Sequence, residues 1–163
     1  MSQPVPPPGN PFADGAAPQQ YPMAPPPAPA RNNVALGLVA ALVAALVAGG
    51  VYGALIGGIE REIGWAAVGV GFLVGLAAGK AGGRNPALPI ASAVLSLGAV
   101  YLGQLVGIAI LGAKELHLSA TDLFFNEFGA LTEAWNADKD PLTFLFFALA
   151  AFAAYSGAKK AAG

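Results

Sequence analysis

Four long apolar runs, separated by polar segments, dominate the sequence. The first run, residues 34–59, holds 26 residues without a charged side chain. Roughly 20 such residues are enough for a helix to cross a bilayer, so this helix can tilt. The other runs cover about 63–79, 87–113 and 141–158. We therefore predict an all-α membrane protein in which four transmembrane helices form one domain over residues 34–160.

The composition agrees with that class. Charged residues make up 10% of the chain, against about 25% in soluble domains. A net charge of −1 provides no general attraction for nucleic acid, and we expect no nucleic-acid partner. The chain has no cysteine, which excludes disulfides and cysteine-built metal sites. We expect the lipid bilayer as its surroundings and no cofactor or metal.

Small residues recur at every fourth position in the first three runs. Residues four apart share one face of a helix, and a face without large side chains lets another helix backbone come close. In lipid, such close packing is a main source of helix association. We predict packing of the glycine-zipper type through Gly49, Gly53, Gly57, Gly71, Gly75, Gly79, Gly103 and Gly107. Because only residues 60–62 join the first two spans, we expect Gly53 and Gly71 where those spans touch.

A further helix is predicted in the polar stretch before the last run, over about 119–137. Ser119 and Asp122 have the spacing of a capping box, with Asp in place of the usual Glu. One face of this amphipathic helix then carries four apolar anchors: Phe124, Phe128, Leu131 and Trp135. We expect this helix outside the cytoplasm, lying either on the membrane surface or as a lid across the ends of the spans.

Gln104 is the most informative single residue within the spans. A primary amide in hydrocarbon needs partners, so it is expected to face the bundle. Tyr101 shares its face, and Tyr52 in the first span is a second hydroxyl within reach. We interpret Gln104 as an interhelical hydrogen-bonding residue, in preference to a polar point on a permeation or binding path. The spans themselves contain no ionisable residue other than tyrosine, which disfavours a proton-coupled or ion-driven transporter.

Two other motifs carry little chemistry. Residues 75–81 resemble a phosphate-binding loop, but they lack one spacer residue and have Ala81 in place of the Ser or Thr that binds magnesium. His117 lies near Glu115 and Asp122, yet one histidine with scattered carboxylates is a weak metal site. We expect a solvated histidine there, and we predict no catalytic residues.

The N-terminal segment, residues 1–33, is predicted to be a disordered tail, because residues 1–30 hold 11 of the 14 prolines. Such a tail is a candidate contact for a cytoplasmic partner. Orientation follows from the distribution of Lys and Arg. With the termini inside, the cytoplasmic side holds Arg31, Lys80, Arg84, Lys159 and Lys160, and the outside holds Arg61, Lys114 and Lys139. This distribution predicts a multi-pass protein of the cell membrane with both termini cytoplasmic.

Local runs at 53–64, 79–86 and 134–141 resemble those of small four-span bacterial membrane proteins, of the actinobacterial type, with a proline-rich cytoplasmic tail. The resemblance covers residues 34–160 and implies no activity or site residues. Our first hypothesis is a non-enzymatic membrane protein that organises partners, by associating with itself, with another membrane protein, or through its tail. The second is a small channel or transporter subunit, and the third is an enzyme acting on lipid.

Overall fold

A computed structural model describes residues 32–163 of the protein. These residues form six helices, and within that range the structure contains no strand, only an isolated bridge between Asn32 and Gly83. The helices are α1 (Val34–Ile59), α2 (Gly64–Gly82), α3 (Ala87–Leu116), α4 (Ala120–Asn126), α5 (Phe128–Asp138) and α6 (Pro141–Ala161). Four of them, α1, α2, α3 and α6, are long and apolar enough to cross a membrane. The predicted all-helical membrane protein is thereby confirmed, while the predicted tail lies outside the described residues except for Asn32 and Asn33.

The bounds of α1 match the prediction, but α2, α3 and α6 each continue three residues further, to Gly82, Leu116 and Ala161. An apolar run marks the part of a helix that lies in hydrocarbon, whereas the helix itself ends where the backbone can be capped. Gly83 with φ 81° ends α2, and His117 in the left-handed conformation ends α3. The extensions therefore carry the lysines that follow each apolar run.

The four long helices alternate in direction, and their order around the bundle is α1, α3, α6, α2. The closest pairs are thus the parallel ones, α1 with α3 and α2 with α6. We call residues 60–63 and 114–140 the loop end. Residues 32–33, 80–86 and 159–163 form the terminal end, where the Asn33 amide donates to the Gly82 carbonyl at 2.8 Å.

Small residues line the seam between α1 and α3. A methyl group built on Gly49 would lie 2.8 Å from the carbonyl oxygen of Ala99, and one on Gly53 would lie 2.6 Å from that of Gly103. Gly57 faces Ile110 in the same seam. From the opposite side, Gly103 faces Tyr52, and Gly107 faces Ile56. Any larger side chain at these glycines would push the two helices apart.

The seam between α2 and α6 is closer still. Gly71, Gly75 and Gly79 lie against the backbone carbonyls of Ala150, Ala154 and Ala158, respectively. The three alanines are almost completely buried. Because no side chain separates the two backbones here, α2 and α6 are held by direct backbone contact along three turns.

The expectation that Gly53 and Gly71 lie where the first two spans touch is wrong. Gly53 faces α3, and Gly71 faces α6. The short connection does make α1 and α2 antiparallel neighbours, but it leaves open which face each helix turns to the other. The parallel partners are faced by Gly49, Gly53, Gly57, Gly71, Gly75 and Gly79. Close contact between α1 and α2 occurs instead at Gly37, where a methyl group would lie 2.9 Å from the Cα of Gly82.

The segment predicted as one helix over 119–137 is divided in two at Glu127, whose φ of −122° and ψ of 36° are not helical. The Ser119 hydroxyl accepts from the Asp122 amide at 3.5 Å, at the predicted start. The break lets Leu123 from α4 and Leu131 from α5 both pack against α3. The segment thus lies against the bundle in the manner of a lid. Of the four predicted anchors, Leu131 is buried, Phe124 and Trp135 are half-buried, and Phe128 is 41% exposed.

The backbone contact between α2 and α6 generates a first prediction. Gly75→Ala should lower the free energy of unfolding by about 1–3 kcal/mol, the usual cost of overpacking, because its methyl group meets the Ala154 carbonyl. Gly69→Ala on the same helix is the matched control, since a methyl group there meets nothing within 4 Å. The measurement is thermal unfolding in detergent. Equal melting temperatures for the two variants would contradict this account of the seam.

The lid generates a second prediction. Replacing Leu123 and Leu131 together by Ser should release α4 and α5, because truncating a buried leucine costs about 2–5 kcal/mol. Cleavage at Glu127 by a glutamate-specific protease should then accelerate while the spans stay inserted. Phe125→Ser is the control, because Phe125 is 73% exposed. If the double variant is cut no faster than Phe125→Ser, these leucines do not hold the lid.

Candidate functional site

The loop end has a step, because the helices that reach it differ in length. Gly53 of α1 and Gly103 of α3 lie side by side. At 1.5 Å per residue, α1 continues about 9 Å and α3 about 20 Å beyond that level. The chain after Ile59 turns back before α2 begins at Gly64. The step beside α3 is where the polar residues of the two connections meet.

Gln104 lies in this step and bonds to both connections. Its Nε2 donates to Glu62 Oε2 at 2.7 Å, and its Oε1 accepts from Trp135 Nε1 at 2.6 Å. An indole N–H can only donate, so the amide oxygen must face Trp135, and the amide nitrogen must face Glu62. Gln104 is 4% exposed, so these are the partners that its buried amide requires. The bonds tie α3 to the α1–α2 turn and to α5.

Trp135 is held by aromatic side chains from two elements, α3 and α6. Its ring meets Tyr101 of α3 edge-on, with centroids 4.9 Å apart and an interplanar angle of 85°. The ring centroids of Phe144 and Phe147 of α6 lie 6.4 Å and 6.1 Å from that of Trp135. The Lys139 ammonium lies 5.5 Å from the ring centroid. These contacts fix the orientation of the indole ring, so that its N–H points at Gln104.

The two tyrosines grouped with Gln104 have different places. Tyr101 contacts the ring of Trp135 and does not bond to the amide. The Tyr52 ring is 1% exposed and packs against Gly103. Its hydroxyl is buried and makes no hydrogen bond with any group of the described chain. The hydrogen-bonded cluster at this step therefore consists of Gln104, Glu62 and Trp135.

A cavity of about 200 Å³ opens beside this cluster. Its polar wall includes Glu60, Arg61, Glu62, Asp138 and Lys139. Much of the Glu62 side chain is exposed, but its carboxyl end turns toward Gln104. Two effects raise the pKa of the Glu62 carboxyl above its ordinary value. Desolvation is the larger, and repulsion from Asp138 and Asp140 is the second. A carboxyl that takes up a proton more readily than usual thus adjoins a buried amide.

Lys114 of α3 bonds to the end of α1 and to the α1–α2 turn. Its ammonium donates to the Gly57 carbonyl at 2.7 Å and pairs with Glu60 at 3.2 Å. The first bond caps a carbonyl at the C-terminal end of α1, where a cation is favoured. The ion pair is largely exposed and contributes little by itself. Lys114 therefore holds α3 to the end of α1 above the cluster.

Sequence reasoning identifies Gln104 but groups it with Tyr101 and Tyr52 in place of its partners, Glu62 and Trp135. Glu62 lies outside the apolar runs, and no periodicity relates it to α3. Trp135 was grouped with the apolar anchors, although an indole also carries a donor that seeks an acceptor when buried. That donor was the one available signal. His117 is exposed at the end of α3, and residues 32–163 contain no cluster of three or more metal-ligating side chains.

Comparison of the chain with protein-family models, curated proteins and solved structures finds no match. The resemblance to small four-span bacterial membrane proteins therefore stays a prediction.

The raised pKa of Glu62 generates a third prediction. The folded protein binds a proton on Glu62 at pH values where the unfolded chain has lost it, so stability should fall as pH rises from the ordinary glutamate range through the raised pKa. Glu62→Gln keeps the hydrogen bond to Gln104 and removes this dependence. The effect should be modest because the side chain is largely exposed. Melting temperatures from acid to neutral pH provide the measurement.

Glu60→Gln is the matched control for that series, because Glu60 lines the same cavity without bonding to Gln104. It should retain the pH dependence of the wild type over the same window. If Glu62→Gln retains that dependence as well, another group is responsible for it.

Proposed function

We propose that this integral membrane protein is a structural, non-enzymatic protein that organises the membrane by associating with further copies of itself. The observation that supports this is a second stripe of small residues on α1. Gly50, Ala54 and Gly58 lie four residues apart and are all exposed. A methyl group built on Gly50 or Gly58 would meet nothing within 4 Å. This stripe is separate from the one that packs on α3.

An exposed stripe of this kind favours contact between copies for the same reason that the inner stripes favour contact within the bundle. Glycine within a helix costs about 1 kcal/mol relative to alanine, and nothing in the described chain uses Gly50 or Gly58. In lipid, a second helix backbone can pack closely on such a surface. Large apolar side chains on the same helix, Leu46 and Val51, are 61% and 55% exposed and would interlock with the facing copy.

The polar residues support a structural role. At the loop end, Gln104 bonds to both Glu62 and Trp135 and so connects three elements, which stabilises the bundle. Lys114 has the same effect at the end of α1. We infer that these groups hold the architecture and that the lipid-facing surface carries the function.

A small channel or transporter subunit is the second candidate. The specific observation in its favour is the polar cavity beside Glu62 and Gln104. Below it, the completely or almost completely buried side chains of Tyr52, Val74 and Val100 fill the centre of the bundle. A path to the other end would require these side chains to move, so we place this function second.

We also propose that the terminal end faces the cytoplasm. Within residues 32–163 it carries Lys80, Arg84, Lys159 and Lys160, whereas the loop end carries Arg61, Lys114 and Lys139. An excess of Lys and Arg marks the cytoplasmic side. The tail, residues 1–33, would then be available to a cytoplasmic partner.

Self-association generates the fourth prediction. The chain contains no cysteine, so Ala54→Cys introduces a single thiol into the outer stripe. Mild oxidation of membranes should then produce a disulfide-linked dimer. Adding Gly50→Leu and Gly58→Leu should reduce that dimer severalfold, because the leucines hold the backbones apart, while the melting temperature of the bundle is unchanged.

Two controls accompany the cross-linking. Gly98→Leu occupies open space on α3 and should leave the dimer intact. A cysteine at Leu73, which is 54% exposed on α2, should cross-link poorly. Equal cross-linking from Leu73 and Ala54 would show random collision and would refute the proposed contact.

A further inference from the structure

A second cavity lies at the terminal end, opposite the site described above. Its volume is about 370 Å³. It lies between the start of α3, with Pro86 and Pro89, and the last turns of α6, with Tyr155 and Lys159. The connection between α2 and α3 supplies Arg84 and Asn85. The cavity therefore lies where the apolar part of the bundle meets the polar connections.

Two cations converge on this cavity. The Lys159 ammonium lies 5.4 Å from the centroid of the Tyr155 ring, which holds the charge at the wall. Arg84 donates from Nη2 to the backbone oxygen of Gly163. A guanidinium has five N–H donors in a fork that matches phosphate oxygens, so further donors remain. Two positive charges around one cavity repel each other unless an anion lies between them.

The acidic side chains of the described chain are all at the other end. The full sequence has nine Asp and Glu residues, of which Asp14 lies outside the described residues. The remaining eight are Glu60, Glu62, Glu115, Asp122, Glu127, Glu133, Asp138 and Asp140. All of them belong to the loop end. No Asp or Glu side chain within residues 32–163 lies at this end, so the described partners of the two cations are the Gly163 main-chain oxygen for Arg84 and the Tyr155 ring for Lys159.

The surface next to the cavity is apolar. Ile90 follows Pro89 in the first turn of α3 and is 61% exposed. Phe152, three residues before Tyr155 on α6, is 69% exposed. Both side chains lie on the membrane side of the cations. An anionic headgroup in the cavity would thus have a lipid-facing surface directly beside it for its acyl chains.

We propose that this cavity binds the phosphate of an anionic phospholipid. Arg84 and Lys159 contact the phosphate oxygens, and the acyl chains follow α3 and α6 past Ile90 and Phe152. Basic pockets between transmembrane helices are suited to such headgroups. The site is independent of self-association through α1, because it lies on α3 and α6.

The test uses the full chain in nanodiscs of equal phosphatidylglycerol and phosphatidylcholine, with retained lipid counted by native mass spectrometry. One cation near a membrane surface is worth roughly fivefold in affinity. Wild type should therefore retain phosphatidylglycerol with a preference on the order of tenfold or more. Arg84→Gln with Lys159→Gln should reduce the preference close to unity, and Lys159→Gln alone should reduce it severalfold.

The matched control removes two cations from the loop end, Arg61→Gln with Lys139→Gln, and should retain the preference. Melting temperatures in phosphatidylcholine alone show that each variant is folded. Equal retention by the wild type and the Arg84/Lys159 variant would overturn the proposal. Displacement of the lipid by millimolar inorganic phosphate would overturn the lipid as ligand and assign the site to free phosphate. Failure of displacement supports the lipid.

Discussion

The structure depends on direct contact between helix backbones. Lipid does not drive apolar helices together as water does, so a bundle in a membrane is held by close packing and hydrogen bonds. Gly71, Gly75 and Gly79 bring α2 against the carbonyls of α6. Gly49 and Gly53 do the same for α1 against α3. These two seams join parallel helices, and the antiparallel hairpins that the connections impose are built around them.

The loop-end site follows from this arrangement. The seam between α1 and α3 lets both helices continue past the level at which α2 begins, which leaves a step beside α3. A buried amide at that step would be costly without partners. Glu62 and Trp135 supply them from two separate connections. The same bonds that satisfy Gln104 thus attach the α1–α2 turn and α5 to the bundle.

The two ends of the bundle differ in charge. Within the described chain, the terminal end carries only cations, and the loop end carries all eight acids. Desolvation, and after it repulsion from Asp138 and Asp140, raises the pKa of the Glu62 carboxyl that accepts from the buried Gln104 amide. The cations of the terminal end, which have no Asp or Glu side chain near them, are the basis of the proposed phospholipid site. The outer stripe of α1 is neutral, and it is the surface proposed for self-association.

The sequence by itself determined the four spans, their alternation in direction and the small-residue faces. The length of an apolar run and the recurrence of small residues at every fourth position are local properties of the chain. It also predicted a capped helical segment before α6. Only the tertiary structure decided that Gly53 turns to α3 and Gly71 to α6, since a short connection sets adjacency but not the facing side. The division of the lid at Glu127 and the partners of Gln104 were likewise beyond the sequence. Both depend on residues tens of positions apart that meet only when the backbones have packed, and no local pattern encodes that meeting.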